Sequence, residues 1–85
     1  LKINLQVEIN GKTDEVVANA ADMVAFESKY DISVAQLGQN PKMSYMLFLA
    51  WHSLHRQKKT ELKFEDWLNE VDSVGAGESS PKSKD

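Results

Sequence analysis

The sequence predicts an α+β fold: an N-terminal β-hairpin followed by three to four short helices, with a disordered C-terminal tail. Three observations support this. Apolar Leu1, Ile3, Leu5, Val7 and Ile9 alternate with polar Lys2, Asn4, Gln6, Glu8 and Asn10. The pair Asn10-Gly11 follows at once. Beyond Asn19 the apolar spacing changes from every second residue to every third and fourth.

The alternation is the pattern of a strand buried on one face. Asn-Gly suits a two-residue hairpin turn, because both central positions need positive φ. That loop sets Ile9 opposite Lys12, Val7 opposite Asp14, Leu5 opposite Val16 and Ile3 opposite Ala18. Val16 and Ala18 then join the apolar face, and the tip is charged. A lone hairpin is marginal in water, so this face requires a cover.

A first helix is expected over Asn19–Tyr30, with Asn19 as cap, Asp22 in the first turn and Lys29 near the end. Met23, Phe26 and Tyr30 fall at helical spacing and should face the hairpin. Asp31-Ile32-Ser33 breaks the pattern, after which Ser33 caps a short turn over Val34–Leu37 that stops at Gly38. Asn40-Pro41 reads as the next helix start. From there Met43, Met46, Leu47, Ala50 and Leu54 form one stripe, and Phe48, Trp51 and His55 a second row beside it. His55–Lys63 is a polar, basic connection with Thr60 as a cap. Phe64, Trp67, Leu68 and Val71 then repeat at the spacing of a short amphipathic helix. After Val74 no large apolar residue remains, and Gly75–Asp85 reads as a flexible tail. One globular domain is therefore expected over residues 1–74, with the hairpin in 1–18 and the helices in 19–74.

Composition bounds the function. The 85 residues are 41% hydrophobic and 27% charged, as in ordinary globular proteins. There is no cysteine, which excludes a disulfide scaffold and thiolate zinc sites. The formal charge of -3 provides no global field for nucleic acid. No apolar run is long enough to span a bilayer, so no membrane partner is expected. The expected setting is reducing and cytoplasmic.

No catalytic constellation stands out. His52 and His55 lie three apart, but a metal site needs further ligands that no Cys cluster or HExxH pattern supplies. Glu65, Asp66, Glu70 and Asp72 have the spacing of a solvated helix face. Arg56, Lys58, Lys59 and Lys63 form the best nucleic-acid patch, yet Glu61 interrupts them and the next helix is acidic. No metal, cofactor or catalytic residue is expected. Met43, Phe48, Trp51 and His55 are the candidate partner-binding residues, because one hairpin and two short helices need not cover both rows of the wide apolar face; for Phe48 and Trp51 a core position is the equal alternative. A domain this small has a modest core, so self-association would help it too.

The order of several short motifs resembles the tail assembly chaperones of long-tailed bacteriophages with non-contractile tails. These are Asp22-Met23-Val24-Ala25-Phe26-Glu27, then Tyr30-Asp31-Ile32-Ser33, then Leu47-Phe48-Leu49-Ala50-Trp51-His52-Ser53-Leu54-His55-Arg56, then Phe64-Glu65-Asp66-Trp67-Leu68 and Val71. They correspond to a D-x-x-x-F-E helix, an L-A-W-x-x-L-x-R helix and a closing F-x-x-W-L helix. The resemblance implies a non-enzymatic protein of the host cytoplasm, absent from the mature virion. Its implied partners are the tape measure protein, which it coats, and the tail tube protein, which it helps recruit. It also implies a longer form made by ribosomal frameshifting, to which residues 75–85 would be a linker. By position, Glu27 and Arg56 are a candidate ion pair across helices. Lys63 stands where the family often has a small polar cap. The alternatives are a structural tail or connector component of the virion, and a small nucleic-acid-binding regulator.

Overall fold

The computed structural model describes residues 2–33, 35–39 and 42–76. Through them run β1 (Ile3–Ile9), β2 (Lys12–Ala18), α1 (Ala20–Tyr30), α2 (Ala35–Gln39), α3 (Met43–Arg56), α4 (Phe64–Leu68) and β3 (Val71–Ala76). The fold is α+β, with a hairpin at its start.

The hairpin has the register that a two-residue loop dictates, from Ile9 opposite Lys12 to Ile3 opposite Ala18. Asn10 and Gly11 take φ of 53° and 79°, as the turn demands. Leu5, Val7, Val16 and Ala18 are buried on one face. Gln6 and Glu15 hydrogen-bond across the opposite, solvated face.

The sheet has a third strand that the sequence pattern does not announce, and its order is β2-β1-β3. β3 runs antiparallel to β1, setting Val74 opposite Val7 and Gly75 opposite Gln6, with a bulge at Glu8/Ile9. Two expectations change as a result. The last helix stops at Leu68, and Val71 opens a strand instead of closing a helix. Gly75 and Ala76 belong to that strand and not to a tail. The physical cause is the free edge of β1, whose backbone groups need partners. Burying Val74 beside Val7 extends the apolar face at the same time. The rest of the expected tail, and the expected Asn40-Pro41 helix start, lie outside the described residues.

Local signals place the helices. Asn19 caps α1 in a capping box: its side chain accepts from the Ala21 and Asp22 amides, and the Asp22 carboxylate accepts from the Asn19 amide. Asp31 ends α1 in the left-handed conformation at φ 57°. α2 continues through Gly38 to Gln39, two residues further than expected. α4 begins at Phe64 with Lys63 as a cap that makes no side-chain hydrogen bond.

α3 touches all three strands and supplies most of the helical core through Phe48, Leu49, Ala50 and Leu54. Met23 and Phe26 of α1 and Trp67 of α4 complete it. Trp67 is almost fully buried, yet its indole N–H reaches no acceptor among the described residues. No helix among them is long and apolar enough to cross a membrane.

Candidate functional site

α3 is held on its inner sides by two devices, and they decide which of its residues remain available. The first centres on Asp22, which is 0% exposed. Besides capping α1, its carboxylate accepts from Arg56 Nε at 3.1 Å and from Arg56 Nη2 at 3.0 Å. His52 Nδ1 lies 2.6 Å from the same carboxylate, which makes that nitrogen the protonated one. Burial alone would raise the Asp22 pKa, but the hydrogen bonds from Arg56, His52 and Asn19 outweigh it and hold it below the ordinary value. Asp22 in turn pushes Arg56 upward.

Ser53 extends this network. Its hydroxyl donates to the Val17 carbonyl at 2.9 Å, and accepts from Arg56 Nη2 and Gln57 Nε2. One turn of α3 is thereby fastened to α1 and β2 together. The partner that the sequence suggested for Arg56 was Glu27, but the guanidinium goes to Asp22. The missed signal was a carboxylate four residues before Phe26, on the apolar side of its helix. A charge there requires a cation from another element.

The second device is a wall of rings. Tyr45, Tyr30, Phe48, Phe64, Trp51 and His55 form a continuous chain whose successive centroids lie 5.0, 5.7, 5.6, 5.5 and 5.0 Å apart. Lys29 Nζ sits 5.7–5.8 Å from the rings of Tyr30, Phe48 and Phe64. Lys42 Nζ lies 5.7 Å from Tyr45. Burial raises the Tyr30 pKa, with a smaller contribution from Tyr45.

The candidate partner-binding residues divide on this wall. Phe48 is only 6% exposed, enclosed by Tyr30, Trp51, His52 and Phe64. It is therefore an interior residue and not a contact surface. Met43 is 55% exposed, His55 is exposed and Trp51 is half-buried. The Trp51 indole N–H donates to the Leu62 carbonyl at 2.9 Å, which fixes the ring against the connection after α3.

Met43, Leu47, Trp51 and His55 recur every fourth residue, so they form one row along α3. Leu47 is the member that the sequence reading placed in the core stripe; here it is half-buried and packed at the core's edge. The other exposed large apolar side chains, Val17, Val24, Leu62 and Leu68, are scattered over separate elements.

Among the described residues no group of three or more His, Asp or Glu side chains is placed to share a metal ion. His52 and His55 diverge in role: His52 turns to Asp22, and His55 packs on Trp51 with centroids 5.0 Å apart. His55, Arg56 and Lys58 border an open depression at the end of α3. No known protein family, no curated protein and no solved structure matches the chain.

Proposed function

We propose that this protein is a tail assembly chaperone of a long-tailed, non-contractile bacteriophage. In this reading it acts in the host cytoplasm, binds the tape measure protein, helps recruit tail tube subunits and is absent from the finished particle. It works by binding, with no chemical step. The motif order along the chain supports the family, and the geometry of α3 supports the mechanism.

The observation that carries the mechanism is the row Met43, Leu47, Trp51, His55. It stands on the longest helix, whose opposite side is locked by the Asp22–Arg56 pair and the Ser53–Val17 bond. The Trp51–His55 half of the row is held by these contacts and by the Trp51–Leu62 bond, so docking there costs little further ordering of the helix. Covering exposed helix surface of a tape measure chain in this way would shift that chain from aggregates to a soluble complex.

Co-expression with a tape measure fragment tests the proposal. The fragment is expected to move to the soluble fraction with the native chain and to stay insoluble with Met43→Asp. Equal insolubility with and without this chain contradicts it. Mass spectrometry of purified particles separates it from the virion-component reading, which requires the protein to be present in them.

A further inference from the structure

We infer that the segment docking on α3 is an amphipathic helix whose apolar stripe is flanked by carboxylates. The inference rests on the partner-binding role proposed above and adds the chemistry of the partner. α3 contains no Asp or Glu in its fourteen residues. Lys42 stands at its N-terminal end, and Lys58, Lys59 and Lys63 follow its C-terminal end. Lys29 and Lys42 place their ammonium groups over rings of the wall, within 5.8 Å of the centroids. Glu61 lies among the last of these lysines, and Glu27 and Asp31 lie either side of Lys29 in sequence, while further acids stand away from the row. Glu8 and Glu15 stand on the open face of the sheet, and Glu65, Asp66, Glu70 and Asp72 follow one another through α4 and into β3.

An incoming segment therefore meets an apolar row with Lys42 at one end, an excess of lysine over Glu61 at the other, and Lys29 along the wall. A helix is the matching shape, since a row spaced by four packs into the groove between equivalent rows of another helix. Carboxylates beside its stripe complement Lys29 and Lys42, while basic flanks would be repelled. A nucleic-acid strand fits less well. Bases need open ring faces to stack on, and these rings are already packed on one another in tilted and edge-on pairs.

Titration of the full chain with three labelled helical peptides tests this. All carry the same leucine stripe, with flanking positions filled by Glu, Gln or Lys. The Glu peptide is expected to bind about tenfold tighter than the Lys peptide at low salt, a margin that narrows as salt rises. The double variant Lys29→Glu/Lys42→Glu should reverse the order, with its melting temperature recorded alongside because Lys29 lies over three rings. Should it unfold, the single exposed Lys42→Glu change must still shrink the margin. Equal binding of the three peptides, preference for the Lys peptide, or no binding of any of them overturns the inference. Displacement of the Glu peptide by a single-stranded oligonucleotide does so as well. The tape measure experiment uses the whole partner and would stand in the first two cases, so failure of the charge rule is distinguishable from failure of the role.

Discussion

The Asp22 carboxylate and the Arg56 guanidinium, 34 positions apart in sequence, meet at two points, 3.1 and 3.0 Å, with the acid wholly buried. One side chain thus caps the first helix and anchors the end of the longest one. Fork-to-carboxylate geometry is specific to arginine, and a buried carboxylate deprived of its cation is costly.

Arg56→Met is therefore expected to destabilise the fold by about 2–4 kcal/mol, because it leaves Asp22 buried with fewer donors. Arg56→Lys keeps the charge but loses the two-point geometry, and should recover only part of that loss. Urea denaturation of the three proteins checks the order.

The same site predicts an acid-sensitive fold. The Asp22 pKa is depressed in the folded protein, so as pH falls the unfolded chain takes up its proton first. The stabilisation is complete above the unfolded-state value of about 3.9. It is lost as the pH drops from there through the lower folded-state value. In Asp22→Asn this contribution to the acid limb of stability against pH should vanish, as urea midpoints measured from pH 7 downward would show.

The third strand makes its own prediction. Val74→Ala removes the packing on Val7 and should cost about 1–3 kcal/mol. By amide hydrogen exchange in the native protein, the Ser73 and Gly75 amides, which face β1, should be protected while that of Val74 exchanges, an alternation that a helix continuing from α4 into a free tail would not produce.

At the hairpin tip Gly11 has φ 79°, and a Cβ there would meet nothing within 4 Å. Gly11→Ala should therefore cost only backbone strain, about 1 kcal/mol, visible as a small drop in melting temperature.

Local chemistry made much of this legible in the sequence. The hairpin register follows from alternation plus Asn10-Gly11, and the α1 start from Asn19 and Asp22, because each is decided by residues a few positions apart. What stayed hidden depends on distant partners. β3 has only Val71 and Val74 as apolar markers, and the Phe64/Trp67/Leu68/Val71 spacing competed with them; only the unpaired edge of β1 tips the balance. Phe48 shares a side of α3 with Trp51 and His55, yet Tyr30 and Phe64 arrive from other elements and enclose it. The Asp22–Arg56 pair was half visible, since Arg56 was expected to reach α1 but to a residue more than a turn further along.

The proposed role requires α3 to present its Met43–Leu47–Trp51–His55 row to a partner helix. Chemical-shift mapping of the labelled protein with a soluble tape measure peptide tests it most directly. The largest shifts are expected on those four residues and on Lys29 and Lys42, with Gln6, Glu8, Glu15 and Ser73 on the open sheet face unmoved. Shifts concentrated on the sheet face or along the edge of β2, with the α3 row silent, would contradict it.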